Sequence, residues 1–231
     1  MLKRIKTIIG NGSILKTIYY NFKYLPLTEA LKLPILIAGN TRIVGKGKII
    51  LNGQEDLKVY IGQKALNWLD EKKETTLIHL EEGGRLVFLG NAFLGLGSNI
   101  EVEKNATLTF GDNFNITGKS QVICRNAIVF GNDNLISWDT LFMDSDAHTV
   151  IYENGKTNKD GVIIIKNHVW IGCRTTIKKN TIISSNTVIS SNSVVAGKFL
   201  EENIIIGGNM AKVIKKKINW SIDPPKIESE E

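Results

Sequence analysis

The chain holds three histidines, and one of them keeps company that suits proton transfer. His148 closes the run MDSDAH, behind Asp144 and Asp146 and ahead of the polar stretch TVIYENGKTNKDG. An unperturbed imidazole titrates near neutrality, so it can act as a base at physiological pH. In an extended segment Asp144, Asp146 and His148 would point to the same side. Either aspartate would then orient the imidazole, bind a polar substrate, or serve as a turn residue. Trp138 and Asp139, in ISWD, come just before this run; an aromatic face suits a pyranose, and packing accounts for the tryptophan equally well. His79 reads as structural and His168 as a surface corner residue. The histidines lie far apart in sequence, and Cys124 and Cys173 form no paired ligand motif, so no metal is expected.

The elements that must hold these residues announce themselves as a beat of six. Aliphatic residues fall at Ile165, Ile171, Ile177, Ile183, Ile189 and Val195. A second set of small or β-branched residues falls at Val169, Thr175, Thr181, Thr187 and Ser193. A helix period of 3.6 does not hold phase over six positions, whereas short strands separated by corners do. The pattern is that of a hexapeptide-repeat β-helix, with about eighteen residues per coil. Large aliphatics stack inside, and Asn and Gly at the corners accept positive φ. Weaker traces of the beat appear at Phe110, Ile116 and Val122, and at Phe130, Ile136 and Phe142. The alternative, an antiparallel sandwich with Asn-Gly turns, gives no reason for an unbroken register of six. The stretch from Thr149 to Gly161 interrupts the beat, and a long polar loop inside a repeat is more often functional than ornamental.

The ends read differently. Residues 1–40 form a capping segment, in which ILKTIYYNFK has apolar residues at helical spacing, Ser13 stands ready as N-cap, and Pro26 and Pro34 break the chain. A helix there covers the open end of the first coil. Residues 41–207 form the β-helix, with the excursion 149–161. Residues 208–231 form a basic segment, expected as a short helix, and a tail. The fold class is therefore all-β: a parallel β-helix with an N-terminal helical cap and a short C-terminal helix.

The totals fit this reading. The chain has 231 residues, 42% hydrophobic and 23% charged, as an ordinary globular domain does. Its net charge of +6 gathers near the start (Lys3, Arg4, Lys6) and near the end (Lys212, Lys215, Lys216, Lys217). That charge suits an anionic cofactor or weak association with a membrane surface; no nucleic-acid motif accompanies it. No secretion signal or spanning run is present, which gives a cytoplasmic expectation.

VWIG (Val169 to Gly172), the following hexads, SNSVV and GGNMAKVIKKKINW together resemble the C-terminal signature of the bacterial hexapeptide-repeat acyltransferases. LISWDTLFMDSDAH and the N-terminal YYNFKYLPLTEALKLPI resemble the subgroup that O-acetylates capsule and lipopolysaccharide polysaccharides. The resemblance implies a left-handed parallel β-helix, a homotrimer with active sites between subunits, and acetyl-CoA as co-substrate. It implies His148 as general base, with Asp146 or Asp144 beside it. It implies a donor site along Trp170, Gly172, Cys173, Ser191 and Ala196, with the Cys173 amide as oxyanion donor. Lys212 and Lys215 match basic positions near the adenosine phosphates. Trp138, Asp139 and Asp144 remain for the sugar acceptor. Where galactoside-type members carry an Asn and an Asp, this chain has Thr117 and Arg125, a departure that bears on the acceptor pocket. The function implied is transfer of an acetyl group to a sugar hydroxyl of a surface polysaccharide. The alternatives are an N-acetyltransferase of a nucleotide-linked amino sugar, and a β-helix scaffold without activity.

Overall fold

The computed structural model describes residues 12–53 and 56–223. The basic cluster Lys3, Arg4 and Lys6 and the last part of the tail lie outside them. The described chain winds through three flat parallel sheets, so that each strand pairs with the strand three elements later. The first face runs from Ile35–Ile37 to Ile204–Gly207, the second from Thr41–Gly45 to Val194–Val195, and the third from Lys48–Leu51 to Lys198–Phe199. This is a three-sided parallel β-helix of the left-handed class.

The beat of six is the passage from face to face. Ile165, Ile171, Ile177, Ile183, Ile189 and Val195 are buried on successive faces, and register pairs Ile171 with Ile189 one coil on. The second set, Val169, Thr175, Thr181, Thr187 and Ser193, is buried at the corners and strand starts. Between the two sets runs a third: His168, Arg174, Asn180, Asn186 and Asn192 all have φ between 52° and 61°. That left-handed conformation turns the chain at each corner.

Upstream the beat weakens for a physical reason. Strands such as Gln121–Cys124 and Ala127–Phe130 are four residues long and bury two side chains each. The wider coils are filled by a phenylalanine ladder, with Phe88, Phe110, Phe130 and Phe142 in sequential ring contact at 5.0–5.5 Å between centroids.

Helix α1 (Ile14–Tyr24) caps the first coil, and the Ser13 hydroxyl accepts from Lys16 N at 3.3 Å. It covers the edge strand with polar groups rather than with its apolar stripe. Asn21 exchanges two hydrogen bonds with the backbone of Ile35, and Thr17 Oγ1 accepts from Ile37 N at 3.0 Å. Leu15, Ile18, Tyr19 and Phe22 face outward. Strands begin at Ile35, inside the segment read as cap.

At the far end the expected short helix is not formed over Lys212–Lys216. These residues make a strand antiparallel to Ile204–Gly207. The last parallel strand would otherwise expose an unpaired edge, and the returning strand satisfies it with a lysine-rich outer row. All five of its residues are exposed, so a helix there would have had no face to bury.

Candidate active site

The MDSDAH turn sits where the second face passes to the third. The strand Leu141–Met143 ends, the chain leaves, and it rejoins at Val162–Ile165. Asp144 closes the base of this excursion. Its Oδ1 accepts from Arg125 N at 2.8 Å and its Oδ2 from Asn126 N at 2.9 Å, one coil below. Its carbonyl accepts from Gly161 N at 2.8 Å, and Asn126 Nδ2 donates to Gly161 O at 2.7 Å. Asp144 is fully buried, and burial raises its carboxyl pKa against the pull of those backbone donors. It is therefore a turn residue. The expectation that it shares a side with Asp146 and His148, or meets an acceptor, is corrected: the segment is not extended, since the strand stops at Met143.

Asp146 makes its hydrogen bonds to groups other than the imidazole. Its Oδ2 accepts from Asn158 Nδ2 at 2.7 Å and forms a short ion pair with Lys179. The Lys179 bond, then Asn158, hold its carboxyl below the usual range. Asn158 also donates to His148 O at 2.9 Å and accepts from Val150 N at 2.8 Å, so one amide ties both sides of the loop together. From below, Arg125 pairs with Glu103 at 2.7 Å and reaches Ala147 O at 3.4 Å. Ser145 donates to Asp160 and accepts from Ala147 N at 3.0 Å. The result is a clamped backbone, with Ala147 in the left-handed region (φ 60°) and His148 exposed. Among the described residues no group hydrogen-bonds its ring. The excursion continues as a small hairpin, bridged at Ile151 and Thr157, with Val150, Ile151 and Tyr152 facing solvent.

A second group of expected residues lines the corner between the first and second faces. Register stacks Trp138, Cys173 and Ser191 in consecutive coils. Gly172 N donates to Ile189 O at 2.8 Å, and a Cβ on Gly172 would lie 2.6 Å from Ser191 N. The coils thus pack backbone to backbone beside Cys173. Among the described residues nothing accepts from Cys173 N–H. Cys173 Sγ lies 3.4 Å from Ser191 Oγ. Lys212 pairs with Gly207 near this corner, and Lys215 with Ile205 further along the first face; both are exposed. Trp170 stands outward on that face, its Nε1 donating to Ser137 Oγ at 3.3 Å. Its ring lies 6.0 Å from Trp220, which stacks on His168 at 4.3 Å. Asp139 is exposed at φ 56°.

The second face separates the two groups. His148 and Ala196 lie at one end of its strands, and Cys173 and Ser191 at the other, roughly 10–15 Å away for strands of three to five residues. One copy of the chain does not bring His148 to Cys173, nor Ala196 to Ser191.

An uncharacterised 24.8 kDa protein from the cps region of Klebsiella pneumoniae is 30% identical over 199 residues, 86% of this chain and 86% of that protein. The two chains belong to one family. This chain also resembles the Escherichia coli K12 protein WbbJ, whose name proposes a lipopolysaccharide biosynthesis O-acetyl transferase. Identity there is 25% over 148 residues, 60% of this chain and 75% of WbbJ. Two solved acetyltransferase structures share the fold. The polysialic-acid-specific enzyme NeuO has a TM-score of 0.65 at 22% identity, over 82% of this chain and 78% of its own. The polysialic acid O-acetyltransferase OatWY has a TM-score of 0.51 at 23% identity, over 81% and 74%. No family model matches.

The residues that sequence reading missed are those that hold the histidine. Asn158, Lys179, Ser145 and Asp160 come from the loop and the next coil. Arg125, a departure from the galactoside-type pattern, supports the turn from beneath. Coil register reveals Lys179 and Arg125, placing Lys179 directly over Asp144 and Arg125 beneath Ser145, whereas the loop partners have no register to be read from.

Proposed function

We propose that the chain is an acetyl-CoA-dependent O-acetyltransferase acting on a sugar hydroxyl of a surface polysaccharide, capsule or lipopolysaccharide. The observation that carries this reading is His148: exposed, free of ring partners among the described residues, and held on a turn clamped from two coils and from the loop. Rigid backbone with a free imidazole is what a positioned general base requires.

In the proposed reaction His148 takes the proton of the acceptor hydroxyl as its oxygen attacks the thioester carbonyl. The Cys173 N–H receives the negative charge that develops on the carbonyl oxygen. The proton returns through His148 to the departing coenzyme A sulfur. Both substrates are bound together, and no covalent acyl-enzyme forms. The donor fits the small-residue corner at Gly172 and Ser191, where backbone is accessible, and the exposed Lys212 and Lys215 suit its phosphates. Ala196 lies at the other corner, beside the histidine turn.

Since one chain separates His148 from Cys173, we propose that the site forms between copies in a homotrimer. The apolar tip Val150, Ile151 and Tyr152 suits contact with a neighbour. No helix of the described residues is long and apolar enough to cross a membrane. We place the reaction in the cytoplasm, where acyl-CoA donors are made.

The test is a thiol-release assay with acetyl-CoA over a panel of saccharides and amino sugars, with product analysis by mass spectrometry and alkali treatment. An alkali-labile acetyl ester supports the proposal. A stable amide would make the chain an N-acetyltransferase, and absence of coenzyme A binding would favour a scaffold.

A further inference from the structure

A second excursion leaves the β-helix between Val59–Gln63 and Thr76–Leu80, at the same corner as Cys173. Its residues 64–75 carry no hexad, yet the loop is firmly anchored. Leu69 is 2% exposed and meets the space left by Gly118, where a Cβ would lie 3.1 Å from Leu69 Cδ1. Asp70 O accepts from Glu74 N at 3.0 Å, Asp70 Oδ1 accepts from Lys72 N at 2.9 Å, and Asn40 donates to Glu71 O. Glu74 pairs with Lys119 at 3.2 Å.

On this anchored loop Trp68 stands 56% exposed. Its ring meets that of Trp138 edge to face, centroids 6.1 Å apart, and Lys119 Nζ lies 5.9 Å from its centroid. The coil register places this pair relative to the reacting centre. Trp138 stands one coil below Cys173, and Gly118 one coil below Trp138. Strands in a sheet are about 4.8 Å apart, so the aromatic strip reaches roughly 10 Å from the Cys173 amide. That is longer than a single pyranose ring. Asp139, Arg174 and Lys119 flank the strip at the left-handed corner positions, offering polar contacts beside the apolar faces.

A large aromatic side chain held rigid and exposed offers contact area without an ordering cost on binding. Aromatic faces with polar flanks suit the apolar faces and rim hydroxyls of pyranoses.

We propose that Trp138 and Trp68 form a saccharide-binding track for the sugar residues next to the one acetylated, so that the preferred acceptor is a chain of at least two or three sugars rather than a free sugar or a single nucleotide-linked sugar. The track rests on the O-acetyltransferase reading above, and Trp68 acts in it as a specificity residue rather than a catalytic one.

The experiment uses de-O-acetylated surface polysaccharide from the source strain, cleaved into fragments sized from one sugar upward. Full-length protein and its Trp68→Ala and Trp68→Phe variants are assayed with acetyl-CoA, and thermal unfolding confirms that each variant is folded. The native chain should show kcat/KM rising with fragment length over the first two or three sugars. Trp68→Ala should lower kcat/KM on the longer fragments roughly tenfold, chiefly through KM, and flatten the length dependence. Trp68→Phe should restore most of it. Equal kcat/KM at all lengths, or a length dependence unmoved by Trp68→Ala, overturns the track while leaving O-acetyl transfer standing. Failure to acetylate any fragment overturns both readings.

Discussion

Replacing Gly172 by alanine probes the corner at which Cys173 is proposed to act. A Cβ there would lie 2.6 Å from Ser191 N and 2.8 Å from both Ile189 O and Ser191 Oγ, against an ordinary contact of at least 3.4 Å. Two of these three atoms are backbone, so no rotamer change relieves the crowding. The coils carrying Ile171 and Ile189 must part by nearly 1 Å at this point. Overpacking of this kind costs about 1–3 kcal/mol. For a domain of this size that lowers Tm by roughly 2–12 °C. The functional effect should be larger than the stability effect. Gly172 directly precedes the Cys173 amide, and a misplacement of about 1 Å at a reacting centre can reduce the rate about a hundredfold. Gly39 supplies the control, since a Cβ there meets nothing within 4 Å. Differential scanning calorimetry and steady-state acetyl transfer on Gly172→Ala and Gly39→Ala give both numbers. A Tm within 1 °C of the native protein refutes the packing argument. A clear fall in Tm with native kcat at a temperature where the variant is folded refutes the role of the Cys173 amide.

Other outcomes follow from the same geometry. Asp144 has a folded pKa raised above its ordinary 3.8, so the folded state binds that proton more tightly than the unfolded state. Its contribution to stability is therefore greatest in acid and is lost as pH climbs from 3.8 through the folded value; Asp144→Asn should flatten urea-unfolding stability across that interval, and an unchanged slope would contradict the assignment. Asn158→Ala removes the amide that joins Asp146, His148 O and Val150 N, so limited proteolysis should cut between 149 and 158 faster than in the native chain. Burial pushes the Cys124 thiol up to about 12, so a thiol reagent should modify Cys173 alone in the folded protein, and two modified thiols would show that the core opens.

The coils are most legible in the sequence where each strand buries one large aliphatic side chain. From Ile165 to Val195 the beat of six is complete, because from Trp170–Ile171 onward each strand contributes a single inward aliphatic. From Phe110 to Phe142 the four-residue strands bury two side chains, and the step from Val122 to Phe130 becomes eight. The excursion at His148 was legible as a break in a beat, whereas residues 64–75 fall where no beat precedes them. Asp144 could not be read as a turn residue, because its partners are the backbone amides of Arg125 and Asn126 in another coil. The strand Lys212–Lys216 is not legible in the sequence, because composition alone does not reveal an unpaired edge waiting to be covered.

The most direct test of the central claim is His148→Ala, assayed for acetyl transfer to saccharide and, separately, for acetyl-CoA binding by calorimetry. His148 is exposed and its ring is unpartnered among the described residues, so the substitution should leave the fold intact. The account predicts that transfer falls at least about a hundredfold while acetyl-CoA binds with native affinity. Transfer at the native rate would contradict it, and would move the base to another residue.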